Sequence, residues 1–277
     1  MKNNVSRNVF LKSIGIGFFG LNSTEIEAKI IKKSSHKLEL GLASYTLRSY
    51  SIDDVILYCN KLNLKHIVLK SMHLPLDSTP EKITEVAEKL KKASINFYGV
   101  GVVYMKTEAE VNQAFKYAQM AGVEMIVGVP NHDLLPIVER KVKETGIKLA
   151  IHNHGPGDKV YPTPDTVYEH IKNLDKNIGL CIDIGHVIRL GLDPVKNLVK
   201  YKDRLFDIHL KDIDKAIETG ASVEIGRGVI DIVGVLKALQ KIKYQGVMSL
   251  EYEKDAKNAV VGLSESVGYL NGIMKMI

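Results

Sequence analysis

The sequence lacks tryptophan, has only two cysteines and carries no long hydrophobic run. Its formal charge of +6 is mildly basic, and the lysines are spread along predicted helices. A nucleic-acid interface would need clustered basic residues with aromatic platforms, so we predict no nucleic-acid partner. Cys59 and Cys181 lie far apart in the pattern, which favours two buried free thiols over a disulfide. No glycine-rich phosphate motif appears, and 277 residues at 45% hydrophobic content can bury a sizeable core.

Residues 1–37 differ from the rest of the chain. A basic start precedes the apolar run 14–21, which is far shorter than the ~20 residues of a membrane span. We therefore predict no stable membrane span and interpret 1–37 as an N-terminal arm with the layout of an export signal. The stretch 6–12 is similar to a twin-arginine pattern, with Asn8 in place of the second arginine. A periplasmic or exported protein is the expectation, and a cytoplasmic protein with a loose arm is the alternative.

Short β-rich runs alternate with helical patterns from residue 38 onward. Apolar residues at i, i+3 and i+4, such as Ile52, Val55 and Ile56, predict amphipathic helices. Proline in the first helical turn, as at Pro80, marks helix starts. About eight β/α pairs without a break predict a single (β/α)8 TIM barrel over 38–277. The predicted strands are 38–45, 66–71, 96–103, 124–130, 148–154, 178–186, 205–212 and 246–253.

Four of the later predicted strands turn polar at their C-terminal ends. In a parallel barrel those ends meet on one face, where the active sites of this fold lie. One strand histidine would more often be a satisfied core residue, but the repetition favours a shared metal or catalytic cluster. Alternate strand residues share a face, and converging imidazoles and carboxylates can hold a divalent ion. The candidates are His152, His154, Asp183, His186, Asp207, His209, Lys211, Glu251 and Glu253.

Three short motifs and one glycine-rich loop resemble a known family. The motifs are CIDIGH at 181–186, HLKD at 209–212 and SLEYE at 249–253, and the loop is EIGRGVID at 224–231. In this order they are similar to the xylose-isomerase-like TIM-barrel superfamily. That group includes sugar phosphate isomerases and epimerases and endonuclease-IV-type nucleases. The resemblance covers 38–277 and implies an enzyme that acts on a small carbohydrate.

The resemblance also implies a set of metal ligands. In such isomerases and epimerases, Glu, Asp, His and Glu from the last four strands hold one divalent ion. Asp183, His209 and Glu251 match this set, whereas His152 stands where the first glutamate is expected. A neutral imidazole can also ligate. We therefore expect His152, Asp183, His209 and Glu251 to hold one Mn, Zn, Co or Mg ion.

The expected activity is that of a divalent-metal-dependent sugar isomerase or epimerase that works through a metal-stabilised enediolate. Glu251 is the expected base, and His152 or His154 would return a proton to the other carbon. Because His152 replaces a carboxylate, a metal-dependent lyase or hydratase acting on keto-glycosides, which needs one base, is the alternative. A non-catalytic sugar-binding barrel and an endonuclease-IV-like nuclease are less favoured, the latter because it would need further ligands on early strands.

Further residues near predicted strand ends are candidates for substrate binding. His186 follows a strand, and Lys211 can stabilise an oxyanion or pair with a carboxylate. Lys70 and His73 end the second predicted strand, and Arg227 lies in the glycine-rich loop. For His73 and Arg227 a loop or surface role is the structural alternative. The expected partner is a small carbohydrate, and the sequence leaves monomer and homo-oligomer open.

Overall fold

A computed structural model describes residues 37–277, with strands and helices numbered here in chain order within that range. The strands are β1 (Glu39–Ala43), β2 (His66–Leu69), β3 (Asn96–Met105), β4 (Met125–Pro130), β5 (Lys148–His152), β6 (Ile178–Asp183), β7 (Leu205–Leu210), β8 (Asp212–Ile213), β9 (Ser222–Val223) and β10 (Val247–Leu250). The helices are α1 (Ile52–Lys61), α2 (Pro80–Lys92), α3 (Glu108–Ala121), α4 (Leu135–Thr145), α5 (Pro164–Ile171), α6 (Ile184–Arg189), α7 (Pro194–Lys200), α8 (Ile232–Lys241) and α9 (Ala259–Met274).

Eight parallel strands close into a barrel in the order β1-β10-β7-β6-β5-β4-β3-β2. The first strand pairs on both sides, with Leu42 opposite Ile67 in β2 and Leu250 in β10. Helices connect the successive strands and cover the outside of the barrel, as parallel pairing requires. The predicted (β/α)8 TIM barrel is therefore confirmed.

Local sequence signals fix where the helices begin and end. The Ser51 side chain accepts a hydrogen bond from Asp54 N at 3.1 Å, and Asp54 Oδ2 accepts one from Ser51 N, so α1 starts with a capping box. Pro80 occupies the first turn of α2. Gly122 ends α3 with a left-handed φ of 66°, which glycine adopts without steric cost. These ends set the chain's entry into the next strand.

The barrel core is mostly apolar, and its strands are buried on both faces. Every residue of β4 and β6 is buried. The sequences of such strands are continuous apolar runs, because helices cover one face of each strand and the other face points into the barrel interior. Cys59 and Cys181 are buried free thiols, as predicted. This frame holds the strand ends, and the side chains that follow them, in fixed positions.

Six of the eight barrel strands end earlier than predicted, and three of these ends bear directly on the site. β5 ends at His152, β6 at Asp183 and β10 at Leu250. The chain turns at Asp183 because its carboxylate accepts a hydrogen bond from His186 N at 2.9 Å and so caps α6. His186 therefore lies on a helix and not on a strand, which corrects the prediction. His154 and Glu253 lie in the loops after their strands.

A small antiparallel hairpin follows the seventh barrel strand and was not predicted. In it, Asp212 of β8 lies opposite Val223 of β9. The Asp212 carboxylate accepts hydrogen bonds from the backbone N–H groups of Gly226 and Gly228, each at 2.9 Å. A Cβ atom on Gly228 would lie 2.1 Å from Asp212 Oδ1, so glycine is required there. The aspartate of the HLKD motif thus organises the glycine-rich loop.

Residues 1–36 lie outside the described range, so the N-terminal arm and the export signal stay predictions. Between residues 37 and 277, none of the helices combines the length and the apolar character needed to cross a bilayer.

Candidate active site with a metal-ligand cluster

The four predicted metal ligands lie together at the C-terminal end of the barrel. His152 ends β5, Asp183 ends β6, His209 lies in β7 and Glu251 follows β10. The register places Asp183 opposite His209 across the β6–β7 pair. One ligand atom from each of the four lies within 4.8 Å of the others, and all four residues are buried. The structure thus brings together the residues that the sequence had grouped.

Short contacts join the ligand atoms. His152 Nε2 lies 3.0 Å from His209 Nδ1 and 3.4 Å from Asp183 Oδ2. His209 Nδ1 lies 3.0 Å from Glu251 Oε2. One nitrogen of each imidazole therefore faces the carboxylate oxygens, which is the arrangement that a shared cation needs.

The main chain and Asn153 hold Asp183 in place. Asn153 Oδ1 accepts a hydrogen bond from Asp183 N at 3.0 Å, and Asn153 Nδ2 donates to Asp183 O at 3.3 Å. Asn153 is thus a structural hydrogen-bonding residue. Because Oδ1 caps α6, only Oδ2 faces the cluster. Within residues 37–277 that buried oxygen makes no aligned hydrogen bond and has the Lys211 ammonium 2.9 Å away, so its environment suits a cation.

The ammonium group of Lys211 lies among three carboxylates. Its Nζ is 2.9 Å from Asp183 Oδ2, 2.8 Å from Glu251 Oε2 and 3.0 Å from Glu253 Oε1. Lys211 is 1% exposed, and a buried charge is tolerated only when it is paired. Burial alone would lower the pKa of Lys211, but Asp183 and the two glutamates raise it well above its usual value.

The two cluster carboxylates are ionised. Burial acts to raise the pKa of Asp183, but His186 and Lys211 hold it well below its usual range. Burial likewise opposes ionisation of Glu251, and the nearby His209 and Lys211 lower its pKa well below the ordinary value. Both side chains are therefore anionic at neutral pH and can bind a cation.

The two imidazoles differ in their protonation. Burial lowers the pKa of His152 well below its usual value, so this ring is neutral. Burial acts in the same direction on His209, but the Glu251 carboxylate outweighs it and raises the His209 pKa. A bound cation would favour the neutral form of His209, because a metal ligand must give up its proton.

A second set of three ligands, His152, Cys181 and His209, also lies within reach. Burial raises the pKa of the Cys181 thiol well above its usual value, so it stays protonated. Metals bind the thiolate and not the thiol. The set with Asp183 and Glu251 adds two ionised carboxylates to the imidazoles and needs no deprotonation of a buried thiol, so it fits a divalent ion better.

Asp207 lies outside this cluster, although it shares its strand face with His209. Its carboxylate accepts hydrogen bonds from Tyr98 Oη at 3.2 Å and from Ser249 Oγ at 3.4 Å. Burial raises the pKa of Asp207 to about 7. The residue belongs to a polar network within the barrel core.

A second wall of the site is formed by Lys70 directly after β2, Tyr104 of β3 and His154 in the loop after β5. Lys70 Nζ donates a hydrogen bond to Val102 O at 2.7 Å and lies 5.6 Å from the centre of the Tyr104 ring. Burial lowers the pKa of Lys70, and Glu251 partly opposes this. Tyr104 Oη lies 2.8 Å from His154 Nε2, and the two rings stack. Burial, followed by the charge of His186, lowers the pKa of His154 to about 4.

Arg189 is a residue that the sequence reasoning missed. Its Nη1 lies 3.2 Å from His186 Nδ1, and its Nε donates to Gly220 O at 2.9 Å. A cavity of about 380 Å³ opens beside it and is also lined by His154 and Glu218. Reading 184–189 as a helix would have revealed Arg189, because residues i and i+3 share a helix face.

Two predicted substrate-binding residues are corrected. His73 is buried, and its ring nitrogens lie 2.9 Å from Ser44 Oγ and 3.1 Å from Leu47 O, so neither is left for a substrate. Arg227 pairs with the exposed Glu265 through two contacts, one of them 2.9 Å between Nη2 and Oε2. Both residues stabilise loops instead of lining the site.

A closed parallel barrel with polar side chains gathered at the C-terminal ends of its last strands has the layout of a (β/α)8 enzyme. Residues 48–272 match the xylose isomerase-like TIM barrel family. The chain therefore belongs to this family, as its motifs predicted.

Known relatives and solved structures agree with the family. The chain is 31% identical over 129 residues to an inosose dehydratase of Clostridium perfringens, a match that spans 41% of this chain and 43% of that relative. It resembles the structure of the IOLI protein with a binding zinc atom (TM-score 0.71, 20% identity, 86% of this chain and 99% of that one). It also resembles a D-tagatose 3-epimerase-like protein (TM-score 0.69, 20% identity, 86% and 99%). The two structural likenesses establish the fold, and the curated relative is named as an enzyme.

Proposed function

We propose that the protein is a metal-dependent lyase that eliminates water from a keto-sugar or keto-cyclitol. The observation that carries this proposal is the composition of the cluster. His152 occupies one ligand position with a neutral imidazole, and Asp183 is fixed as the cap of α6. Glu251 is then the one cluster carboxylate available as a base, which is enough for elimination but not for exchange between two carboxylates. The relation to an inosose dehydratase supports the same reaction class.

The cluster would hold the metal through His152, Asp183, His209 and Glu251. When bound, a divalent ion supplies Lewis acidity, which polarises a carbonyl group and acidifies the neighbouring C–H bond.

The chain's own residues account for the proton transfers. Glu251 is ionised and accepts the proton from the carbon next to the carbonyl group. The electron pair of that C–H bond forms the new C=C bond, and the C–O bond to the next carbon breaks. The leaving hydroxyl takes a proton from Lys70, whose lowered pKa makes its ammonium a better acid. The products are an unsaturated ketone and water, and both side chains recover their protonation from solvent.

A sugar isomerase or epimerase is the second candidate. The contact between Tyr104 Oη and His154 Nε2 favours it, because this pair gives the second wall a group that can exchange a proton. His154 is neutral at pH 7, so its ring can accept a proton there. In that case the proton removed by Glu251 would be replaced on the neighbouring carbon by an isomerase, or on the opposite face of the same carbon by an epimerase, and no water would leave.

Product analysis separates the two candidates. Metal-supplemented protein is incubated in deuterated water with an inosose, a 3-keto-glucoside and a ketose such as fructose. The lyase predicts an unsaturated ketone with its ultraviolet absorption, formed by loss of water from the inosose or the ketose and by loss of the aglycone alcohol from the 3-keto-glucoside, in which the glycosidic oxygen is the leaving group. An isomer of unchanged mass, apart from incorporated deuterium, would instead establish the second candidate. Neither product nor deuterium exchange with any of the three would reject both for these substrates.

A further inference from the structure

The candidate metal cluster contains as many imidazoles as carboxylates, with a buried ammonium group beside them. We propose that His152 makes the site prefer nitrogen-binding ions such as Zn²⁺ over Mn²⁺ and Mg²⁺, while Lys211 lowers its affinity for every divalent ion. The inference rests on the proposed function only in that the cluster holds a metal.

His152 determines the preference between metals. The residue is 2% exposed, and its Nε2 is the atom that faces Asp183 and His209. A neutral imidazole adds no negative charge to the site. Mn²⁺ and Mg²⁺ are bound mainly by electrostatic attraction to oxygen ligands, so they gain less from it than from a carboxylate. Imidazole suits zinc and nickel, whereas carboxylates suit magnesium and manganese. An ordinary mixed site already favours zinc, and His152 increases that preference.

Lys211 determines the overall affinity. Its Nζ lies within 2.9 Å of the Asp183 and Glu251 oxygens that would bind the ion. Ammonium and metal thus compete for the same two oxygens, and they repel each other if both are present. The repulsion is the same for all ions of charge +2, so it lowers their affinities by a common factor. Weak binders such as Mg²⁺ then lose occupancy, while strong binders keep it.

Glu253 provides Lys211 with a second partner. Its Oε1 lies 3.0 Å from Lys211 Nζ, and its side chain is 27% exposed, so it stands at the edge of the cluster and outside the ligand set. When an ion occupies Asp183 and Glu251, the ammonium can remain paired with Glu253. If Glu253 loses its charge, the remaining carboxylate partners of Lys211 are Asp183 and Glu251, which would also bind the metal. The loss of Glu253 should therefore weaken metal binding although Glu253 does not bind the metal.

The test measures Zn²⁺ and Mn²⁺ dissociation constants by competition with a chromophoric chelator, using the full chain after removal of metal. His152→Glu should strengthen Mn²⁺ binding and lower the Zn²⁺-to-Mn²⁺ preference by about tenfold or more. Lys211→Met should strengthen binding of both ions by about tenfold or more and leave their ratio unchanged. Glu253→Gln should weaken both. His66→Gln and Lys200→Met are matched controls, because these residues lie on β2 and α7 and contact no cluster residue in an ion pair or hydrogen bond.

The outcomes separate this inference from the proposed function. Wild-type protein that binds neither ion would contradict the proposed function itself. Metal binding with the same Zn²⁺-to-Mn²⁺ ratio in wild type and His152→Glu would overturn the role of His152 and leave the function standing. Lys211→Met without a gain in affinity would overturn the role of Lys211. Circular dichroism checks the fold, and if His152→Glu does not fold, His152→Gln must lose more Zn²⁺ than Mn²⁺ affinity.

Discussion

His209 Nδ1 lies 3.0 Å from Glu251 Oε2 and joins β7 to the residue that follows β10. The two residues are 42 positions apart in the chain and become neighbours because β7 and β10 pair in the closed barrel. Each stabilises the charged form of the other, since the carboxylate raises the pKa of His209 and the imidazole lowers that of Glu251. The proposed base is therefore held ionised by a neighbour that is also a candidate metal ligand.

Glu251→Gln should nearly abolish turnover. An amide cannot accept the C–H proton, and general base catalysis is commonly worth about 10²–10⁴-fold in rate. Gln keeps one oxygen for the metal, so a part of the bound metal should remain. The measurement is turnover on whichever keto-substrate proves active, with the exposed Glu265→Gln as the control. A variant that keeps more than a tenth of the wild-type rate would remove Glu251 from the role of base.

Asp183→Asn and His209→Ala should each lose bound metal. Both residues place an atom in the cluster, and a site that loses one of four ligands binds more weakly. Metal analysis after dialysis should find about one ion per chain in the wild type and little in either variant. His170→Ala, which changes an exposed histidine, serves as the control. Full occupancy in both variants would exclude these residues as ligands.

Lys70→Met should reduce turnover of a substrate with a hydroxyl leaving group by about 10²-fold or more. The reason is that hydroxide is a poor leaving group unless a proton donor converts it to water as it departs. A substrate with a good leaving group, such as a fluoro analogue, should be affected much less. An equal loss on both substrates would mean that Lys70 binds the substrate but does not protonate the leaving group.

Glu224 should contribute to stability at neutral pH and lose that contribution in acid. Tyr252 Oη donates to its Oε1 at 2.8 Å, and Lys254 Nζ lies 3.0 Å from the same atom. Burial acts to raise the pKa of Glu224, but hydrogen bonds to its own backbone N–H, Lys254 and Tyr252 lower it from 4.5 to about 2. Because the folded-state pKa is lower, the stabilisation is present above pH 4.5 and is lost as the pH falls toward 2.

The corresponding variant is Glu224→Gln. After a discount for solvent screening, it should lower the free energy of unfolding by about 1–2 kcal/mol at pH 7. The difference from wild type should shrink between pH 4.5 and 2. Urea denaturation at several pH values measures this, with Glu265→Gln as an exposed control. A difference that does not depend on pH would show that Glu224 acts by packing alone.

Local sequence patterns predicted the barrel correctly but placed several strand ends wrongly. The alternation of β and α patterns determined the barrel, because each pattern has its own period and its own start and stop signals. The prediction that β6 continues to His186 was wrong. Apolar residues at 184 and 187 are compatible with a buried strand or with a helix, so the local pattern could not decide between them. The cap by Asp183 decided for the helix. The motif residues of the candidate cluster could be named from the sequence, because parallel strands bring their C-terminal ends to one face.

Only the tertiary structure decided what those side chains contact. His73 and Lys70 end the same predicted strand, yet His73 turns to Ser44 and Leu47 while Lys70 faces the site. Lys211 directly follows β7, two residues after His209, but its three carboxylate partners come from two other segments of the chain. The sequence by itself determines periodicity, caps and residue types, which are local. Hydrogen bonds and ion pairs between distant segments depend on barrel closure and register, which no local pattern encodes.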